Sequence, residues 1–399
     1  MTQKEGAGKP ESKDGRTEIT VAKIALVSAV AVAVIGVIGS ALNVYLSSQA
    51  VRAPVLTDSP AAEAPRPSPL PSVTAAPPSP APATPPIDVV PPVASTTSPP
   101  VTGGLALVPL LTLPGSDPIT STAFSPDGQL LAVGVENGEV RLQQVKGGIL
   151  VRTLAPGIGV GSAAFSRDSR TLATGLSNTT VKLWRVSDGR LLRTLEGLSS
   201  YVYSVAFSPD GQTVAAGSFT TVMLWRASDG TLLRKLEGHV SHVYALAFSP
   251  DGQTLASGSS DSTVKVWRVR SGTLVHDLKG DGNYFNGVAF SPDGQTLAGG
   301  EFTKVMLWRV SDGTLLSKLP GHSSSVQSVA FSPDGQTLVS GSKDIEVRRW
   351  RVRDGVRLYT LEEDGRTVAF ITLSGDGSMA AAAYRDGTVK LSRVPSAPK

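Results

Sequence analysis

AFSPDGQTLASGS, residues Ala247–Ser259, decides the fold, because it returns with small changes seven times along the chain. Each return is anchored by Phe124, Phe165, Phe207, Phe248, Phe290 or Phe331, with Leu373 in the same place in the last copy. Successive anchors lie 41, 42, 41, 42, 41 and 42 residues apart. A fixed period of about 40–45 residues is the mark of a repeat architecture.

One copy predicts four short strands. Val243–Phe248 is an apolar strand, and Ser249-Pro250-Asp251-Gly252 turns it: proline fixes φ, aspartate bonds its own backbone, and glycine accepts a positive φ. Thr254–Ser257 runs back, Val264–Trp267 gives a third strand, and Arg270-Ser271-Gly272 turns into a fourth, Thr273–Leu278. Such a unit cannot bury both faces alone, so neighbouring units must cover one another.

Outside the repeats the composition changes. The chain has 399 residues, 40% hydrophobic and 18% charged, with net charge +4 and no cysteine. Disulfides, thiol catalysis and cysteine-ligated zinc are therefore excluded. Residues 1–23 are polar and charged and read as a disordered tail. Ile24–Leu46 contains no charge, and a helix of that length reaches roughly 34 Å, enough to cross a bilayer core. A cleaved signal peptide is the rival reading, since Ser48-Gln49-Ala50 has the small-x-small form. The apolar run exceeds the usual signal core, which favours an uncleaved anchor. Lys9, Lys13, Arg16 and Lys23 precede the span, against Arg52 and Arg66 after it. That bias predicts a cytoplasmic N-terminus at the plasma membrane, with the large C-terminal part outside. Residues 47–103 form a linker whose sixteen prolines predict an extended, semi-rigid stalk.

The repeat region, residues 104–399, resembles the WD40 family. The resemblance rests on the FSPDGQTLASGS core, on Gly238-His239 and Gly321-His322, and on the VKVW-type third strand. The Trp-Asp pair that names the family is Trp-Arg here, at Trp184-Arg185, Trp225-Arg226, Trp267-Arg268, Trp308-Arg309 and Trp350-Arg351. Gln143 and Ser392 stand for the tryptophan in the first and last copies. The membrane linkage and the near-identical repeats are similar to bacterial examples. The resemblance implies an all-β, seven-bladed propeller behind one transmembrane helix and the proline-rich linker. Leu105–Leu113 reads as an orphan fourth strand, and the last copy stops after its third strand, Val389–Val394. The two are expected to share one sheet and so remove the open edge.

The family often braces a blade with a His–Ser–Asp–Trp tetrad. Two copies match it: His239, Ser257, Asp261 and Trp267, and His322, Ser340, Asp344 and Trp350. A hydrolase triad is the competing reading of His, Asp and Ser, and the repetition and the tryptophan favour bracing. Copies 3 and 5 carry GSFTTVMLW and GEFTKVMLW, one residue shorter and without the turn aspartate. The four histidines make no metal-ligand spacing, and no phosphate-binding or calcium loop occurs. No cofactor, metal or catalytic residue is implied.

What remains is surface. The resemblance places residues four and six before each anchor on one rim of the central channel. They are Thr120/Pro118, Gly161/Gly159, Tyr203/Tyr201, Tyr244/His242, Asn286/Tyr284, Gln327/Ser325 and Ala369/Thr367. Four of the chain's seven tyrosines fall there, and tyrosine is enriched at binding hot spots. The expected partner-binding set is Tyr201, Tyr203, His242, Tyr244, Tyr284, Phe285, Asn286 and Gln327, with Phe219 beside it. The segments before residue 104 carry seven charges of each sign, so the net charge belongs to the repeats. It is too mild and interspersed for nucleic acid. The sequence thus predicts a non-catalytic, membrane-tethered scaffold or sensor binding a protein or peptide. A propeller-scaffolded enzyme and a purely structural repeat protein are the alternatives.

Overall fold

The computed structural model describes residues 108–115, 117–344, 346–362, 368–374 and 378–394. The tail at 1–23, the predicted span at 24–46 and the linker at 47–103 lie outside the described residues. Among the described residues no helix is long and apolar enough to cross a membrane.

The repeats form seven four-stranded antiparallel sheets, the blades of a propeller. Blade 1 runs over Ile119–Leu154, blade 2 over Val160–Leu195, blade 3 over Ser204–Glu237 and blade 4 over Val243–Lys279. Blade 5 spans Gly287–Pro320 and blade 6 Val326–Glu362. Blade 7 has three strands of its own within Val368–Arg393, and its fourth is Val108–Leu113 from the other end of the repeats. Val108–Leu113 pairs antiparallel with Val389–Arg393, Thr112 standing opposite Lys390 and Leu113 opposite Val389. Every innermost strand packs on the next around the ring, and that of blade 7 packs on that of blade 1. The expected closure is present over Val108–Leu113, and residues 105–107 of the predicted strand lie outside the described residues.

Local chemistry builds each blade. In blade 4 the Ser249 hydroxyl donates to Asp251 Oδ1 at 2.6 Å, which also accepts from the Gln253 N–H at 2.9 Å. The Thr254 N–H in turn donates to Ser249 Oγ at 3.0 Å. Gly252 closes this turn at φ 69°. Blade 2 has Ser169 in that place, at φ 59°, a left-handed conformation that L-residues adopt at a cost. The arginine that replaces the family's aspartate has a local use. Arg185, Arg226, Arg309 and Arg351 each pair with the aspartate three residues on, at 2.8–3.0 Å, across the last turn of the blade.

The core lies between blades. Trp225, Trp267 and Trp308 are at most 2% exposed. The cluster that holds Trp225 joins Ala173, Val181, Leu183 and Leu195 of blade 2 to Val205, Val214 and Met223 of blade 3, with Leu198 and Val202 from the loop between them. Residue five before each anchor alternates with the rim positions, as side chains in a strand must, and faces this core. There stand Ile119, Val160, Val202, Val243, Phe285 and Val326, all buried.

Candidate functional site

Phe285 corrects the expected rim. It is fully buried and lies 5.7 Å from the Trp308 ring, so it belongs to the core and not to the surface. Its ring is larger than the valine of other blades, and glycines make room for it. A Cβ on Gly280 would come within 2.7 Å of that ring, and one on Gly299 within 3.0 Å. Gly299 occupies the place of the tetrad serine, so blade 5 cannot have the tetrad. Glu301 braces the loop instead. Its buried Oε1 accepts the N–H of Asp281 at 2.7 Å and of Asn283 at 3.2 Å. Lys304 joins Asp281 at 2.6 Å and Glu301 at 3.4 Å. Blade 3 reaches the same end with apolar groups, Leu198 and Ala216 packing near Trp225.

Blades 4 and 6 carry the tetrads. His239 Nδ1 lies 2.7 Å from Asp261, its Nε2 lies 2.7 Å from Ser257 Oγ, and Trp267 Nε1 donates to that oxygen at 2.8 Å. His322, Asp344, Ser340 and Trp350 repeat the chain with 2.8 Å at each step. Both serines are fully buried, so neither hydroxyl can meet a substrate, and the arrangement braces the blade. Glu346 brings a third ligating group near His322 and Asp344. Both ring nitrogens of His322 are already engaged within the tetrad, and Glu346 is held by Arg348.

Of the remaining predicted residues, Tyr201, Tyr203, Tyr244, Asn286 and Gln327 line the channel mouth, a cavity of about 630 Å³, while His242 and Tyr284 adjoin it through ring contacts with Tyr203 and Tyr244. All seven residues four before the anchors line it: Thr120, Gly161, Tyr203, Tyr244, Asn286, Gln327 and Ala369. The aromatics form one unbroken arc over blades 3, 4 and 5. Tyr201 and Tyr203 lie 4.8 Å apart, and Tyr203 meets His242 at 5.3 Å and Tyr244 at 5.2 Å, edge to face. Phe219 stands edge-on to His242 at 4.7 Å, and Tyr244 lies 6.5 Å from Tyr284. Phe302 ends the run, 6.4 Å from Tyr284. Phe219 and Phe302 are 44% and 39% exposed, and the tyrosines are half-buried.

Blade 2 supplies the seat for one end of the arc. A Cβ on Gly161 would collide with the Tyr201 ring and the Val202 carbonyl oxygen, so this glycine lets the ring lie against the strand. Burial pushes the Tyr201, Tyr203 and Tyr244 hydroxyls above their usual range, so they remain protonated donors. Burial also pushes His242 below the ordinary imidazole value, which leaves a neutral ring at neutral pH.

The sequence reading missed Phe370, which lines the cavity, and four further residues of the mouth that share one phase. Glu136, Phe302, Lys343 and Arg385 each lie twelve after their anchors, the position Phe219 holds in blade 3. Glu136, Lys343 and Arg385 line the cavity. Shared phase with Phe219 was the signal available for those four.

Comparison with known families agrees with this architecture. The family model described as WD domain, G-beta repeat matches residues 148–185, 189–226, 230–268, 272–309 and 313–351. A model described as the anaphase-promoting complex subunit 4 WD40 domain matches residues 114–159. No curated protein matches the chain. The matched repeats run from the outer strand of one blade through three strands of the next, the same one-strand offset that leaves the two chain ends of the ring to share blade 7. By these repeats and the seven-bladed ring they build, the chain belongs to the WD40-repeat family.

Proposed function

We propose that the propeller is a non-catalytic docking platform that takes an extended segment of a partner protein across the channel mouth. One observation carries the reading: seven rings from three blades, Tyr201 to Phe302, adjoin in a continuous, accessible arc. Tyrosine offers wide contact area with a polar tip and loses little side-chain freedom on binding. The rings are pre-packed on one another and on a rigid ring of sheets, which lowers the ordering cost of association. WD40 propellers commonly bind protein partners, which fits this use.

The uncharged run Ile24–Leu46 and the prolines of the following linker complete the proposal as a tether that holds the platform away from a membrane, outside the cytoplasm. Protease added to intact cells is then expected to remove the propeller and spare residues 1–23. Digestion only after lysis would overturn this topology.

The docking reading is tested with the full-length chain and a displayed library of random peptides. Replacing Tyr201, Tyr203, Tyr244 and Tyr284 together by alanine is expected to weaken recovered peptides by on the order of a hundredfold, the scale of a lost hot spot. Unchanged affinity in a variant with unchanged thermal unfolding would sink the reading.

A further inference from the structure

The channel mouth is not uniform. Residues twelve after the anchors run Glu136, Ser177, Phe219, Ser260, Phe302, Lys343 and Arg385 from blade 1 to blade 7. The aromatic arc therefore ends at blade 5, and two cations follow on blades 6 and 7. Both line the same cavity as Tyr201, Tyr203 and Tyr244. Lys343 and Arg385 are each only partly covered and form no ion pair among the described residues. Their neighbours on the outer side of blades 5 and 6 behave differently: Lys304 and Lys318 are neutralised by Asp281, and Arg348 by Glu346. Partial burial pushes the Lys343 ammonium below its ordinary value, and the charge of Arg385 pushes it further. Two like charges lining one cavity without a counter-ion favour an anion between them.

The amides between arc and cations are also oriented. The buried Ser325 hydroxyl oxygen accepts from Asn286 Nδ2 at 3.0 Å and from Gln327 Nε2 at 2.9 Å. Each amide spends a donor inward, and its carbonyl oxygen has no hydrogen bond among the described residues. Both residues line the mouth, and these two oxygens can accept main-chain N–H groups of a strand laid over it. Glu136, the acid of the mouth, stands on blade 1 beyond Arg385, so the order of charges gives a bound chain a direction.

Resting on the docking reading above, we infer that the partner segment is acidic. It is an extended peptide whose apolar side chains lie on the Tyr201–Phe302 arc and whose Asp or Glu carboxylate sits at Lys343 and Arg385. Aromatics beside cations also suit single-stranded nucleic acid, which uses stacking and a groove of many cations. A mouth with two cations and one acid offers too few phosphate contacts for that.

The test uses the full-length chain, the displayed random-peptide library, and a charge-reversed variant, Lys343→Glu with Arg385→Glu. Peptides recovered on the wild type are expected to carry Asp or Glu beside apolar residues. The reversed variant is expected to lose them and to enrich Lys or Arg there. The milder pair Lys343→Gln with Arg385→Gln should weaken a recovered acidic peptide roughly tenfold or more, the scale of a lost charge-assisted hydrogen bond. The same peptide with its acids changed to Asn and Gln should bind wild type and this variant alike. Recovered peptides without acidic enrichment, or enrichment unmoved by charge reversal, overturn the acidic partner. The docking reading survives that result if the four-tyrosine variant still loses the peptides. An oligothymidine probe bound as tightly as the acidic peptide also overturns the inference. Recovery of no peptide at all overturns both readings.

Discussion

Thr112→Cys with Lys390→Cys, oxidised in a chain that has no other cysteine, is expected to raise the stability of the propeller by roughly 5 kcal/mol at the loop-entropy limit. The two positions face one another in the pair that joins the first and last strands of the ring. Directly opposed residues of an antiparallel pair stand about 4.5–5.5 Å apart at Cα, inside the range a disulfide spans. The bond would close a loop containing almost the whole propeller, and loop-closure stabilisation grows with loop length. Strain at the new bond subtracts from the limit. Urea unfolding with and without reductant measures the difference. Cysteines that refuse to oxidise in the folded protein would show that the two chain ends do not share blade 7.

His239→Ala is expected to cost about 3 kcal/mol, chiefly because of the buried polar groups it leaves unpaired. The Asp261 side chain is 4% exposed and loses its imidazole, while Ser257 loses one of its partners. Asp261 keeps the Thr263 hydroxyl at 2.6 Å and the Val240 N–H at 3.1 Å, which limits the loss. Ser257→Ala breaks the same chain from its other end, so the double variant should cost at least about 1 kcal/mol less than the sum of the singles. Strict additivity would show that the four groups do not act together. Acid exposes the same brace in blade 6. Burial raises the Asp344 carboxyl, but the hydrogen bond and charge of His322 and the Ser323 and Glu346 N–H groups outweigh it and hold it at about 2. A folded value below the unfolded one adds stability that is present above about pH 4 and is lost as pH falls towards about 2. In Asp344→Asn that portion of the acid slope should disappear. An unaltered slope between those limits would show that Asp344 does not carry it.

The repeat gave away its architecture because its signals are local. Seven copies of a strand, a turn (Ser-Pro-Asp-Gly in five of them) and a return strand predict the blade from residues a few positions apart. The phase of Phe124 to Leu373 then fixes which residues face the channel, since strand geometry repeats every second residue. Phase also places Tyr203, Tyr244, Asn286 and Gln327 together, though they are far apart in the chain. Phe285 escaped this reading. Its phase is that of the buried valines, one position off the rim, but its identity as an aromatic beside Tyr284 drew it to the surface set.

Sequence alone therefore settled the number of blades, the offset that closes the ring and the two His–Ser–Asp–Trp braces, since each depends on residue type at a fixed place in a repeated unit. Tertiary structure decided what differs between copies. Phe285 fills the space vacated at Gly280 and Gly299, Gly161 yields to the Tyr201 ring, and Glu301 takes over a brace that blade 5 no longer has. It also brought Lys343 and Arg385 to the end of the aromatic arc. Those outcomes depend on volume and charge meeting across neighbouring blades, which the phase of a residue in its repeat does not report.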